Sequence, residues 1–242
     1  MMRLLGLLRS LLIYHNPATM RAWRRFYGDI LHPGELAIDV GAHVGSRTRA
    51  MRSAGARVVA LEPQRLFARF LRLTLPSDVV LIEAAAGSRA AEAEMAVSSR
   101  HPTVSSLRAD FVASASATPG FDHVRWDRSE RVPMVTLDAI IARHGRPAYV
   151  KIDCEGYELE VLAGLSQPLA MVSVEYLPAF AELARAVVQR LEELGTYRFN
   201  PVVGERSGFL WPEWRDACAV RDWLAALEPD APSGDLFARL AP

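Results

Sequence analysis

Apolar residues near the start of the chain fall at Leu4, Leu5, Leu8, Leu11 and Leu12, the i, i+3, i+4 spacing of an amphipathic helix. The run is interrupted by Arg9 and is shorter than the roughly 20 residues needed to cross a bilayer. No small-residue cleavage pattern follows it, which argues against a signal peptide. It reads as a helix docking on the domain or on a second copy in a homodimer, with peripheral membrane contact as the alternative. Asn16-Pro17 breaks this pattern and a second helix is predicted over 18–30.

After the turn His32-Pro33-Gly34 the period changes. Short apolar runs at 35–40, 57–62 and 79–85 have the length of buried strands and alternate with helices predicted at 48–54 and 66–75. That alternation is the grammar of right-handed βαβ units and a parallel sheet. Residues 86–130 are rich in Ala, Ser, Thr and Arg with little periodicity. They predict a short extended piece near 95–97 inside a long irregular excursion. Regular structure resumes at 132–135, with helices predicted at 137–144, 157–163, 180–194 and 217–227. Strands are predicted at 148–153, 169–175, 197–203, 208–211 and 235–239. No repeat or low-complexity linker appears, so the reading is one α/β domain over 35–242 behind a helical extension over 1–34.

Composition narrows the partners. Half of the 242 residues are apolar, enough for a large core, and 28 basic residues balance 28 acidic ones. Neutrality gives no electrostatic footprint for nucleic acid or an anionic membrane, and points to a small molecule, although a local basic patch can hide in the average. Two cysteines, Cys154 and Cys218, make no disulfide framework, as in a reducing, cytoplasmic setting. His15, His32, His123 and His144 lack metal-ligand spacing, so no metal is expected. Trp126, Trp211, Trp214 and Trp223 read as core or dimer contacts. Arg125, Arg128 and Arg131 interleave with Asp127 and Glu130 as a solvated face.

Candidate chemistry concentrates at three predicted strand tips. The first is Asp39-Val40-Gly41-Ala42-His43-Val44-Gly45-Ser46. A dinucleotide site needs GxGxxG so that a pyrophosphate can approach the backbone, but His43 and Ser46 occupy two of those glycine positions. The acid-x-Gly-x-x-x-Gly form suits S-adenosylmethionine (SAM), which carries no phosphate, although a tight turn with no ligand would look the same. The second tip is Glu62 before Pro63, an acid placed to accept hydrogen bonds from ribose hydroxyls. The third is Lys151-Ile152-Asp153-Cys154-Glu155-Gly156-Tyr157-Glu158, which sets two carboxylates at the ligand-binding edge of the sheet. If an alcohol is methylated, a base must take its proton, and His43, Asp153, Glu155 and Glu175 are the candidates. His101 and Thr103-Val104-Ser105-Ser106 are candidates to line the site from the excursion.

These segments resemble the FkbM-type methyltransferases. The resemblance is carried by residues 38–45, by Val59-Ala60-Leu61-Glu62-Pro63, and by Lys151 to Glu158 continuing into Val161-Leu162-Ala163-Gly164. Thr136-Leu137-Asp138 and Gly234-Asp235-Leu236-Phe237-Ala238 are also similar to the family. It spans roughly 35–240, and Cys154 stands where a small aliphatic residue is expected. The resemblance implies a Rossmann-like, seven-stranded SAM-methyltransferase sheet with helices on both faces. It implies methyl transfer, usually to an oxygen of a small-molecule or glycan hydroxyl. The loop from Asp39 through Gly41 and His43 to Gly45 would hold the methionine part of SAM and Glu62 the ribose, with Pro63 and Asp153 beside them. Asp153, Glu155 and His43 are the catalytic candidates. A nucleotide-dependent (NAD(P)) oxidoreductase and a non-catalytic SAM-binding scaffold are the rival readings.

Overall fold

The computed structural model describes residues 2–101, 104–115 and 124–241, without the side chains of 2–5 and 114. The chain runs α1 (Met2–Tyr14), α2 (Pro17–Ile30), β1 (Leu36–Val40), α3 (Ser46–Ser53), β2 (Arg57–Leu61), α4 (Arg65–Thr74) and β3 (Val80–Ile82). It continues through β4 (Ala85–Ala86), β5 (Ala91–Val97), α5 (Ala109–Ala115), β6 (Arg128–Val135), α6 (Leu137–His144), β7 (Tyr149–Ile152) and α7 (Glu158–Ala163). It closes with β8 (Met171–Tyr176), α8 (Ala181–Leu194), β9 (Tyr197–Val203), α9 (Ala217–Ala225) and β10 (Gly234–Leu240).

Seven strands form one sheet in the order β3-β2-β1-β7-β8-β10-β9. Pairing is parallel except that β10 runs antiparallel to both neighbours. β1 and β7 are buried along their whole length, as strands covered by helices on both faces must be. From β1 the chain first steps outward to β2 and β3, and later returns to lay β7 and β8 on the other side. Between β1 and β7 the connections therefore diverge, leaving the crevice at which open α/β sheets bind ligands.

Three expectations need correction. The run at 79–85 is divided: β3 ends the main sheet, while β4 pairs with β6 in a second sheet of order β4-β6-β5. The 86–130 excursion is consequently more regular than its composition suggests. β5 buries Met95 and Val97, half-buries Ala91 and Ala93, and exposes Glu92 and Glu94. Its two-residue period rests largely on alanine, too weakly apolar to stand out in the sequence. Residues 208–211 are not a strand. There the Asn200 side-chain amide donates to Trp211 O and accepts from Trp211 N (2.8 and 3.0 Å), taking the place of a ladder partner. Thr103 and His123 lie outside the described residues, as do the side chains of Leu4 and Leu5. Both cysteines are free.

The core has two main halves. One packs β1, β7 and β8 against α6, α7, α8 and α9. The other joins Trp23, Phe26 and Tyr27 of α2 to Met51, Tyr149, Val202 and Phe237, so the second N-terminal helix shares the core of the sheet. Phe237 is its hub. Its ring stacks on Tyr149 (5.7 Å between centroids) and meets Phe26 and Phe209 edge-on at 5.4 and 5.3 Å. Among the described residues no helix is long and apolar enough to cross a membrane. Phe237→Ala should lower unfolding stability by about 3–5 kcal/mol in chemical denaturation, the usual cost of emptying a buried aromatic site. A loss below about 1 kcal/mol would show that this cluster does not join α2 to the sheet.

Candidate active site

The loop after β1 is fixed by its neighbours. Gly41 and Ala42 both donate their N–H groups to Leu61 O, tying the loop to the end of β2. Gly41 has φ +86°, and a Cβ there would lie 1.8 Å from the Asp153 carbonyl oxygen. This glycine therefore lets the loops after β1 and β7 cross in contact. Asp39 is buried; its Oδ2 accepts a hydrogen bond from Thr48 Oγ1, while Oδ1 is buried without a partner among the described residues. Burial raises its pKa, against the pull of Lys151. Gly45, also at positive φ, precedes the first turn of α3.

Glu62 joins two backbone segments. Its Oε2 accepts the His43 N–H at 2.7 Å and its Oε1 accepts the Gln64 N–H at 2.8 Å. Burial pushes its carboxyl up to about 8 despite those two donors. The His43 ring packs against Phe67 (4.4 Å between centroids) and edge-on to Tyr14, with Nε2 buried and unpartnered among the described residues. Burial pulls its pKa down to about 4, so the ring is neutral at physiological pH.

At the tip of β7 a lysine is buried in the sheet. Lys151 Nζ donates to Asp153 Oδ2 at 2.5 Å and lies 3.8 Å from Asp235 Oδ1 of β10. Burial alone would lower the lysine pKa, but the Asp153, Asp235 and Asp39 charges hold it well above its usual value. Asp153 moves the other way: burial acts to raise its pKa, yet Lys151 brings it below the ordinary range. Glu155 and Glu175 are in no ion pair among the described residues, and burial followed by the Asp153 charge raises both well above a normal carboxyl, against a smaller pull from Lys151. Asp153, Glu155 and Glu175 each bring one oxygen within 4.8 Å of the others. Glu175 Oε2 is buried without a partner among the described residues. The rest of the motif is structural. Glu155 and Gly156 take positive φ (52° and 92°), and Glu158 Oε1 accepts the Cys154 and Gly156 N–H groups to hold that turn.

One cavity gathers these groups. Asp39, Gly41, His43, Glu62, Pro63, Asp153, Glu155 and Glu175 all line it, so almost every sequence-derived candidate meets there; Gly45 does not line it. Of the excursion, Ser105 contributes to the wall, and His101 does not. Sequence reading missed Tyr14, Arg47, Lys151 and Met95. Tyr14 reaches the cavity from α1, which is held by packing on Val44 and Phe67 and by His15 Nε2 donating to Val44 O at 3.1 Å. Arg47, in the first turn of α3, lies over the Trp23 ring at 3.2 Å and pairs with Glu205 at 2.9 Å. No local pattern announces Tyr14, but Arg47 stands directly after the glycine loop and was legible as a cation at a helix N-terminus.

A family model described as the methyltransferase FkbM domain matches residues 39–227. No curated protein matches the chain. Among solved structures it is similar to the O-methyltransferase from Bacillus cereus in complex with SAH, at 11% identity and TM-score 0.47, covering 98% of this chain and 90% of that one. It is also similar to an rRNA methylase from Streptococcus thermophilus, at 10% identity and TM-score 0.43, covering 90% and 94% of the two chains.

The raised carboxyls fix the sign of a pH effect. Glu62, Glu155 and Glu175 hold protons in the folded state at pH values where the unfolded chain has released them, so stability falls as pH rises. For Glu62 the window runs from the ordinary 4.5 to about 8. Between pH 4.5 and 6.5 the depressed His43 opposes this, because the unfolded ring binds a proton that the folded ring refuses. The ligand-free protein should therefore melt higher near pH 6.5 than near pH 8, at about 2–4 °C per kcal/mol. Glu155→Gln/Glu175→Gln should flatten the profile measured by scanning calorimetry. A melting temperature that rises steadily across the window would contradict this assignment.

Proposed function

Because this chain belongs to the FkbM methyltransferase family, whose methyl donor is SAM, we propose that it methylates a hydroxyl oxygen of a small molecule or glycan. The methyltransferase domain is assigned to 35–242 and the helical extension to 1–34. The observation that carries the reading is the trio of carboxylates at Asp153, Glu155 and Glu175, on the wall of the cavity that Asp39 and Glu62 also line.

The cavity fits the donor chemically. Glu62 offers its remaining lone pairs to the ribose hydroxyls, beside Pro63 and the Gly41–Gly45 loop. The unpartnered Asp39 Oδ1 offers an acceptor for an ammonium, and Arg47 with the α3 N-terminus offers a counter-charge for a carboxylate. Leu61, Ala84, Ala85 and Met95 supply an apolar wall for a base. When bound, SAM supplies an electrophilic methyl on a positively charged sulfur.

The chain's own residues then have two tasks. Asp153, held ionised by Lys151, supplies a fixed negative charge that favours a cationic ligand over a neutral one. Of the coupled pair Glu155 and Glu175, the one that is ionised accepts the single proton that the acceptor oxygen gives up; a carboxylate whose pKa burial has raised is a stronger base than the salt-bridged Asp153. His43 is assigned to packing: its neutral ring is wedged between Phe67 and Tyr14, while its backbone N–H orients Glu62.

Isothermal titration with SAM and with SAH should give heats, and Glu62→Ala should weaken both by about 1–3 kcal/mol, the cost of losing a buried hydrogen-bond partner. No heat with either ligand would defeat the reading. Against a panel of hydroxylated acceptors with methyl-labelled SAM, Glu155→Gln/Glu175→Gln should cut turnover by about 10²–10⁴ and leave SAH affinity within about twofold. A scaffold that only holds SAM would instead bind both ligands and transfer no methyl to any acceptor of the panel.

A further inference from the structure

Overall neutrality conceals an uneven distribution of charge. Residues 1–28 contain five arginines and neither lysine nor any acid, while the remainder carries 23 basic residues against 28 acidic ones. This segment is a local basic patch of the kind that an overall balance can hide. Helix α1 also has two apolar arcs. Leu7, Ser10, Leu11 and Tyr14 face the molecule, with Leu7 and Leu11 packed beside Val44 and Phe67. On the opposite arc Leu8, Leu12 and Ile13 are 50%, 83% and 52% exposed, with Arg9 among them. Helix α2 buries Trp23, Phe26 and Tyr27 and leaves Arg21, Arg24 and Arg25 in solvent. Among the described residues none of Arg9, Arg21, Arg24 and Arg25 is in an ion pair, whereas Arg52, Arg72 and Arg185 all are.

We infer that the outer arc of α1, with the arginines of α2, docks on the surface of an anionic membrane. Thirteen residues with no acid, with Leu8, Leu12 and Ile13 outward beside Arg9 and the exposed arginines of α2, have the make-up of a helix lying in the headgroup plane. Arginines are drawn to anionic headgroups, and leucine and isoleucine side chains enter the acyl boundary. The rival occupants fit less well. A second copy would bring the same five positive charges against these, and a phosphate backbone has no use for Leu12 and Ile13. Because Tyr14 lines the cavity from the inner arc, docking would hold the cavity about one helix diameter, roughly 10 Å, from the headgroups.

Cosedimentation with vesicles tests this. The protein should pellet with phosphatidylcholine vesicles containing about one-third phosphatidylglycerol, remain in solution with phosphatidylcholine alone, and be released by about 0.5 M salt. Leu8→Asp/Leu12→Asp and, separately, Arg21→Glu/Arg24→Glu/Arg25→Glu should each weaken binding by roughly tenfold or more, with circular dichroism and melting temperature unchanged. If the leucine variant fails to fold, the arginine variant decides. Three results would overturn the inference: wild-type protein in the supernatant of both vesicle types, folded variants that bind like wild type, or a dimer in sedimentation velocity that Leu8→Asp/Leu12→Asp dissolves in a protein that ignores vesicles.

Discussion

One buried ammonium organises the cavity. Lys151 sits in β7 with its side chain out of solvent, which is tolerable only because carboxylates from three strands or their tips surround it: Asp39 of β1, Asp153 after β7, and Asp235 of β10. An uncompensated charge at this depth would cost several kcal/mol, so the four groups are bound to one another energetically. The group divides the carboxylates into two kinds. Asp153 is kept ionised by its partner, while Glu155 and Glu175, next to it but in no ion pair among the described residues, are pushed toward the protonated form. A site that must attract a cation and also take up a proton needs both kinds, and the proposed chemistry uses that division.

Much of this was legible in the sequence because buried parallel strands leave a strong signature. β1, β2, β7 and β8 are largely apolar runs with an acid at or just beyond the tip, and their spacing announces a parallel sheet before any packing is known. The three-stranded sheet was hidden because the inward positions of β5 are largely alanines, whose small side chains give no clear two-residue period. Asn200 hid a different substitution, a side-chain amide acting as a strand partner, which no pattern of polarity encodes. The site was readable where strand tips carry it and opaque where distant elements do. Tyr14 enters the cavity from the far end of the chain through the way α1 packs on Phe67, a fact of tertiary structure alone.

Motif letters and their functions also part company. Within Lys151 to Glu158 the most recognisable residues include ones that never need to touch a ligand. Gly156 provides backbone freedom against the Phe111 ring, and Glu158 satisfies two loop N–H groups. Gly41, which reads as a cofactor glycine, is constrained by the Asp153 carbonyl behind it. Such residues specify where Asp153 and Glu155 stand, and a sequence pattern cannot separate the carboxylate that acts from the glycine that aims it.

The two hydrogen bonds that Glu62 accepts have a consequence for how the cavity fills. They hold residues 43 and 64 on a common carboxylate as part of the fold itself. Ordering a loop on association costs about 1–2 kcal/mol per residue fixed, and this part of the wall has already borne that cost during folding. This part of the wall is therefore closer to a lock already cut than to a loop that wraps its cargo.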